Sequence, residues 1–133
     1  MDKIKLKTAF VDELGSILDI VSDDTIHHAG YLTCKKNSVR GKHFHKEQKQ
    51  YTILLHGKMR IILKNLLDPD AKLEKIELDE MEMLLIPSFH YHSLEAITDC
   101  ECLILTSKSR TSEGYEEDTI RVDDIDSFML ETN

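Results

Sequence analysis

The chain reads Arg40-Gly41-Lys42-His43-Phe44-His45-Lys46 in its first half, and this stretch decides the fold prediction. Side chains alternate between the two faces of a β-strand, so His43 and His45 share one face if the stretch is a strand. Gln50 follows shortly afterwards, and His92 lies in a second polar segment much later in the chain. We expect these four side chains to converge on a four-ligand cluster.

The composition is that of one globular domain. Of 133 residues, 41% are hydrophobic and 32% are charged, and a chain of this length buries a core of ordinary size. We expect residues 1–133 to form a single domain. The formal net charge is −8, which argues against a nucleic-acid partner because phosphate binding needs a clustered positive surface.

The sequence predicts a cytoplasmic protein without a membrane partner. The N-terminal residues alternate charged and apolar side chains and lack the apolar segment of a signal peptide. No apolar run reaches the length of a transmembrane helix. The cysteines are few and odd in number, which is typical of a reducing compartment. We expect Cys100 and Cys102 to pack in the core rather than to bind a metal.

Short apolar or alternating segments separated by turn residues predict strands along most of the chain. Turns are expected at 12–15 and 68–70, and Gly57-Lys58 predicts a tight hairpin between two apolar strands. Many short strands at such spacing favour a sandwich or barrel. The predicted strands cover residues 17–21, 26–33, 50–56, 58–66, 73–78, 83–86, 92–97 and 102–106.

The C-terminal part of the chain is more polar. We expect a surface loop at residues 107–118 and an edge strand at 120–122. Residues 123–130 predict a short helix, because acidic residues occupy its first turn and its apolar residues share one face. The predicted fold is all-β, a small antiparallel jelly-roll barrel with a short C-terminal helix, and closure of the barrel removes exposed sheet edges.

The histidine stretch resembles the first signature motif of the cupin superfamily, Gly-x5-His-x-His-x3–4-Glu-x6-Gly. The spacing is kept from His43 to Gly57, with Gln50 in place of the Glu. Asn37 stands at the first Gly, and Asn can also adopt a positive φ. The resemblance implies the cupin barrel.

The second cupin motif, Gly-x5-Pro-x-Gly-x2-His-x3-Asn, is matched more loosely. Pro87 and His92 keep their spacing, whereas Met81, Phe89 and Ala96 replace the two Gly residues and the Asn. The second motif is therefore degenerate, and the first carries most of the resemblance.

A cluster of this kind has two chemical uses. Neutral imidazoles bind divalent transition metals, and they also act as general acids or bases near pH 7. Three histidines and one amide oxygen could hold Zn, Mn, Ni or Fe, and no organic cofactor is expected. Metal-binding cupins generally supply a carboxylate where Gln50 stands, so this site would lack one compensating negative charge. The ligand set would be His43, His45, Gln50 and His92.

The Arg-Gly-x-His-x-His-Lys pattern is similar to the nucleotide-sugar 3,4-ketoisomerases of the cupin superfamily and to the cupin domain of capsular-sugar reductase/epimerases. Its Arg-Gly-x-His core is shared with the deoxysugar 3,5-epimerases. The resemblance covers roughly residues 12–122 and implies proton abstraction next to a ketone on a nucleotide-linked deoxy-keto sugar, in polysaccharide biosynthesis. Cupins of this size commonly form homodimers.

The resemblance also suggests roles for individual residues. His43 or His45 would be the base, and Tyr31 lies roughly where the ketoisomerases have a tyrosine acid. Arg40 is the expected phosphate or sugar-hydroxyl contact, since a guanidinium offers a planar fork to oxyanions. Lys46 and His90 are further candidates for substrate binding.

Two function classes remain open on the sequence. One is the isomerase or epimerase. The other is a non-catalytic or metal-binding cupin module that binds a small sugar or acid. A metal-dependent dioxygenase is disfavoured because Gln50 replaces the anionic ligand.

Overall fold

The computed structural model describes residues 1–109 and 114–125, and most of them are in β-structure. These residues contain twelve strands and one short helix. In chain order they are β1 Ile4–Lys5, β2 Thr8–Asp12, β3 Gly15–Leu18, β4 His28–Cys34, β5 Val39–His45, β6 Gln50–His56, β7 Met59–Asn65, β8 Glu74–Leu78, β9 Glu82–Ile86, β10 His90–Ala96, β11 Cys100–Thr106, α1 Tyr115–Asp118 and β12 Thr119–Arg121.

The strands form two five-stranded sheets and one separate hairpin. The first sheet has the order β1-β9-β6-β11-β4, and the second has the order β12-β5-β10-β7-β8. All of these pairs are antiparallel. One apolar core joins both sheets and includes the fully buried Leu54 on β6 and Ile61 on β7. The sheets therefore pack face to face, and the predicted antiparallel jelly-roll fold is confirmed.

The connection at Gly57 is a corner between the two sheets and not the predicted hairpin. β6 belongs to the first sheet and β7 to the second. Gly57 has a φ of 95°, and a Cβ there would lie 2.3 Å from the Asp99 carbonyl oxygen. The prediction was wrong because the apolar pattern shows that two strands are adjacent in sequence but not that they share a sheet.

The N-terminal region contains more strand than the sequence predicts. Instead of one strand at 17–21, β2 and β3 form a hairpin through the expected turn, and β1 pairs with β9. Leu6 packs with Ile53 and Met83 in a second apolar cluster. The Leu6 side chain, directly after the edge strand β1, therefore packs on the side of the first sheet that faces away from the main core.

A short C-terminal helix is confirmed. The helix α1 lies at Tyr115–Asp118, inside the predicted surface loop, and the predicted edge strand at 120–122 is β12, one residue earlier. Of the helix predicted at 123–130, Ile125 is helical, and residues 126–130 lie outside the described residues. No helix in the described ranges is long and apolar enough to cross a bilayer.

Three non-glycine residues adopt a left-handed backbone where the cupin motifs expect glycine. The φ angles are 71° at Asn37, 62° at Met81 and 55° at Phe89. The motif positions thus keep their backbone geometry although the glycines are absent. Side chains with a Cβ are strained in this region, so the geometry is imposed by the surrounding fold.

The three cysteines lie in the main core. All are free and buried, and Cys34 on β4 faces Cys100 on β11 as its register partner. This placement agrees with a packing role for Cys100 and Cys102.

Candidate active site

The structure brings His43, His45 and His92 together. His43 on β5 is the register partner of His92 on β10, and their ring centroids are 4.7 Å apart. The centroid of His45 lies 4.7 Å from that of His43 and 5.7 Å from that of His92. One nitrogen from each ring falls within 4.8 Å of the others. The alternation of His43 and His45 predicted this convergence.

A β-bulge explains why Arg-Gly-Lys precedes the histidines. The β5–β10 register shifts so that His92 faces His43 while Ser93 faces Gly41, which leaves Lys42 as the extra residue. A Cβ on Gly41 would lie 2.9 Å from the His92 carbonyl oxygen. Glycine at 41 therefore allows β5 and β10 to approach at the bulge, immediately before His43.

His43 and His92 line a cavity of about 330 Å³ between the two sheets. Five predicted site residues line it: Tyr31, Arg40, His43, Gln50 and His92. Its wall also contains polar residues that the sequence did not single out for the site, namely His28, Gln48, Thr106, Glu116 and Arg121. Most sides of this cavity therefore carry hydrogen-bonding groups.

His43 is a neutral base at the cavity wall. Burial lowers its pKa to about 4, with further contributions from His45 and Arg121. Its Nδ1 is buried and has no hydrogen-bond partner in residues 1–109 and 114–125. At pH 7 the ring is therefore unprotonated and can accept a proton, although a pKa this low makes it a weaker base than a free histidine.

His92 has a defined tautomer. Its Nδ1 lies 3.0 Å from the His90 carbonyl oxygen, and since a carbonyl only accepts, Nδ1 carries the proton. Its Nε2 is then a lone-pair acceptor, and it is buried with no hydrogen-bond partner in the part of the chain that the structure describes. Burial lowers the His92 pKa to about 3, with a further contribution from His43, so this acceptor persists at pH 7.

His45 lies behind the cavity wall and contacts the C-terminal elements. Its Nδ1 is 3.2 Å from the Thr119 hydroxyl and 3.7 Å from an Asp118 carboxylate oxygen. Burial lowers the His45 pKa and the Asp118 charge raises it, with burial the larger effect. The contact with Asp118 is therefore one between a neutral ring and a carboxylate at pH 7.

Asp118 connects His45 to the turn after β5. It is buried, and its carboxylate accepts hydrogen bonds from the backbone N–H groups of Glu47, at 2.7 Å, and Gln48, at 3.3 Å. The sequence analysis placed Asp118 in a surface loop. No local pattern marks it, because its role depends on β12 pairing with β5.

Gln50 lies in the cavity wall on the opposite sheet from the histidines. Its side chain is buried, and its amide nitrogen donates to the Thr52 hydroxyl at 3.0 Å. This bond leaves the amide oxygen available to a ligand.

Tyr31 and Arg40 line the same cavity from more exposed positions. The Tyr31 hydroxyl donates to the Glu101 carboxylate, and this bond raises the Tyr31 pKa. The Arg40 guanidinium donates to the Thr33 carbonyl at 3.3 Å. Both side chains are placed where a ligand entering the cavity would meet them.

Lys46 and His90 do not line this cavity, in contrast to their predicted substrate-binding role. The chain turns away after β5, where the Lys46 N–H donates to the Asp118 carbonyl, and Lys46 lines a separate surface cavity. The His90 ring bends back to the Ser88 carbonyl oxygen, 3.0 Å from its Nδ1. Strand alternation could not show these departures, because both residues lie where a strand begins or ends.

Two of the missed residues had a usable signal. Gln48 has the same parity as Gln50. Arg121 lies two residues after Thr119 on the predicted edge strand and is the register partner of His43. Assigning the inward face of β12 would have placed Arg121 beside the histidines.

The chain is similar to known proteins in both sequence and structure. The family model described as polysaccharide biosynthesis C-terminal domain matches residues 10–120. A sugar 3,4-ketoisomerase from Thermoanaerobacterium thermosaccharolyticum, solved in complex with TDP, is 30% identical with a TM-score of 0.73, and the match covers 98% of this chain and 92% of that chain.

Two further structures are similar. A His-to-Asn variant of the 3,4-ketoisomerase from the same organism, in complex with TDP-4-keto-6-deoxyglucose, is 29% identical with a TM-score of 0.73, covering 98% of this chain and 91% of that chain. A dTDP-4-dehydrorhamnose 3,5-epimerase from Sulfolobus tokodaii shares the fold at 20% identity and a TM-score of 0.67, covering 82% and 78%. No curated protein sequence gives a significant match.

Proposed function

Because this chain belongs to the polysaccharide biosynthesis C-terminal domain family and to the family of the sugar 3,4-ketoisomerases, we propose that it isomerises a nucleotide-linked 4-keto-6-deoxy sugar. The observation that carries the proposal is His43, a neutral and unpartnered base at the wall of a polar cavity. Similar enzymes were solved with TDP and with TDP-4-keto-6-deoxyglucose.

The reaction moves a ketone from C4 to C3 by four proton transfers, two at carbon and two at oxygen. The C4 ketone acidifies the C3–H bond, so a base removes that proton while an acid protonates the C4 oxygen, and an enediol forms between C3 and C4. A proton then returns to C4, and the C3 hydroxyl loses its proton to leave the new ketone at C3. No atoms are gained or lost, and no redox partner is needed.

The site offers a base for the C3 proton and an acid for the C4 oxygen. His43 accepts the C3 proton, and His45 behind it, held by Thr119 and Asp118, fixes the position of the β5 end. Tyr31 is the acid, since its raised pKa keeps the hydroxyl protonated at pH 7. To protonate the sugar, the Tyr31 hydroxyl must turn from Glu101 toward the cavity.

Arg40 supports binding of the diphosphate. The chain is acidic overall, so an anionic ligand must be held by local cations. Arg40 lines the cavity and makes a single long contact, 3.3 Å to the Thr33 carbonyl, which leaves guanidinium donors for phosphate oxygens.

Deuterium exchange tests the proposal. Wild-type protein is incubated with TDP-4-keto-6-deoxyglucose in D2O. NMR should show deuterium at C3 of the substrate and at C4 of the product. His43→Asn should suppress this by at least about 10²-fold, the usual size of a general-base contribution. Tyr31→Phe should slow turnover less, because water can deliver a proton at an open cavity. Absence of exchange by the wild type across a panel of 4-keto sugars would favour a binding module.

Metal binding is a second candidate function of the same histidines. Three ring nitrogens lie within 4.8 Å of one another, and the His92 Nδ1 bond to a carbonyl leaves Nε2 directed to a ligand, as in metal sites. These residues fit a divalent transition metal, with the Gln50 oxygen as a further ligand. Such an ion would supply Lewis-acid polarisation of the ketone.

We also propose that the protein is a cytoplasmic homodimer. The hairpin of β2 and β3 forms its own two-stranded sheet, and its apolar side chains are exposed, with Leu14 at 90% and Val11 at 70%. A second copy is the expected cover for this surface, since apolar patches of monomers are usually small. The three free thiols support a reducing compartment.

A further inference from the structure

Gln48 carries an unusual buried atom. The residue is only 3% exposed, and its side-chain oxygen Oε1 is buried with no hydrogen-bond partner among the described residues. Gln48 lines the same cavity as His43 and His92. A buried acceptor left unpaired is costly, so its retention at the cavity wall indicates a hydrogen bond that a ligand completes.

The position of Gln48 is fixed by the C-terminal elements. Its backbone N–H donates to the Asp118 carboxylate at 3.3 Å, and the same carboxylate lies 3.7 Å from His45. The backbone that carries the amide is therefore tied to the histidine cluster. Such preorganisation favours specific recognition, because little freedom is lost when the ligand binds.

The neighbours of Gln48 show which part of a ligand it meets. His43, which lines the same cavity, must meet the reacting carbon, so this region receives the sugar rather than the nucleotide. On a 4-keto-6-deoxy sugar the free ring hydroxyls are at C2 and C3. The C3 hydroxyl loses its proton in the reaction, and a neutral amide can accept a hydrogen bond but not the proton itself. The C2 hydroxyl keeps its proton throughout.

Building on the proposed isomerase function, we propose that Gln48 is a specificity-determining residue that accepts a hydrogen bond from the C2 hydroxyl of the sugar. A site built to bond a hydroxyl discriminates strongly against an analogue without it, since the buried polar group is then left unpaired. The enzyme therefore rejects 2-deoxy sugars through Gln48.

The test changes the protein and the substrate separately and together. kcat/KM is measured for wild type and Gln48→Met with TDP-4-keto-6-deoxyglucose and with its 2-deoxy analogue. Wild type should prefer the hydroxylated substrate by about 10-fold or more, the value of one good hydrogen bond to a substrate. Gln48→Met should lose this preference, while its affinity for TDP alone, measured by calorimetry, should stay within about two-fold.

Gln50→Met is the matched control. Gln50 lines the same cavity, and its amide nitrogen donates to Thr52. If Gln48 is the acceptor, Gln50→Met should keep the preference for the C2 hydroxyl whatever its effect on the rate, whereas loss of the preference in Gln50→Met alone would assign the contact to Gln50 and overturn the inference. If Gln48→Met does not fold, as shown by thermal unfolding, Gln48→Asn replaces it, because the shorter amide cannot reach the same hydroxyl.

The possible results distinguish a wrong role for Gln48 from a wrong function for the protein. Normal wild-type turnover with an equal preference in wild type and Gln48→Met overturns the role of Gln48 alone. A wild-type protein that neither binds TDP nor turns over the sugar overturns the proposed function and this inference together. Weakened binding of TDP alone by Gln48→Met would place Gln48 at the nucleotide and also overturn the inference.

Discussion

At the scale of single residues, burial of histidines sets how the site responds to acid. The pKa values of His43 and His92 are lowered to about 4 and about 3, below the value of about 6.5 for an unfolded chain. Below pH 6.5 the unfolded state therefore binds protons that the folded state does not. Stability should fall as the pH drops from 6.5 to about 4, by up to about 1.4 kcal/mol per pH unit for each histidine, and these groups should have no effect above pH 7.

The measurement is urea unfolding at pH 7.5 and pH 5.0 with a chelator present. His92→Asn should lose less stability on acidification than wild type, because it removes one of the proton-binding groups from the unfolded chain. His27→Asn, at an exposed histidine, is the control and should behave as wild type. Equal losses in wild type and His92→Asn would show that His92 is not held neutral by burial.

Because Gln50 is uncharged, it should limit the affinity of the same histidines for a divalent metal. If they bind a divalent cation, Gln50→Glu should raise the affinity for Mn, Ni and Zn, because it restores a negative charge beside the ion in a partly dry site. His92→Asn should abolish binding. Calorimetric titration of the three proteins makes the comparison. Equal or weaker binding by Gln50→Glu would assign Gln50 to the substrate and favour a metal-free site.

Some residues of the site could be located from the sequence, and others could not. The placement of His43, His45 and His92 followed from strand alternation and motif spacing, both local properties. Asp118 could not be found in that way, since it acts through the pairing of β12 with β5. Lys46, assigned from the family resemblance, and His90 do not line the cavity, because one follows the end of a strand and the other begins one.

At the scale of elements, the positions where the cupin motifs have glycine keep a left-handed backbone conformation although other residues occupy them. Asn37 is exposed, has a φ of 71°, and donates its backbone N–H to the Ala96 carbonyl at 2.8 Å. Because Asn tolerates the left-handed region better than Ala, Asn37→Ala should lower the free energy of unfolding by about 1 kcal/mol. Asn37→Gly should be neutral or stabilising, since Gly has no Cβ to strain there.

Chemical unfolding of both variants at pH 7 checks this. Lys36→Ala, at the preceding exposed residue, is a suitable control and should change stability little. A loss in Asn37→Gly equal to that in Asn37→Ala would mean that the Asn side chain, and not the backbone conformation, stabilises the turn.

Strand existence was easier to predict than strand partnership. β6, β8, β9 and β11 were recognised because they are short, apolar or alternating, and bounded by turn residues. The hairpin at Gly57 was wrong because consecutive strands of a jelly roll can change sheets, and the sheet order reveals the corner. The hairpin of β2 and β3 was half missed because most of its large apolar side chains, including Val11 and Leu14, are exposed in the described part of the chain, so no inward-facing period marks β2.

At the scale of the whole molecule, an acidic surface and an apolar hairpin have opposite effects on association. The net charge of −8 disfavours non-specific contact between copies. The hairpin nevertheless exposes four large apolar side chains in eight residues of chain: Phe10, Val11, Leu14 and Ile17. Association of the molecule should therefore be confined to this surface, which favours a defined dimer over aggregation.

The hairpin variants make the dimer testable. Each large apolar side chain that becomes buried contributes about 1.5–3 kcal/mol, so Val11→Ser combined with Leu14→Ser should raise the dimer dissociation constant by at least about 100-fold. Leu67→Ser, at a side chain that is 67% exposed away from the hairpin, should leave the dimer intact. Sedimentation velocity over a concentration series measures both. A monomeric wild type would contradict the prediction. A dimer that the hairpin substitutions leave unchanged would also contradict it, because an interface elsewhere would then hold the copies together.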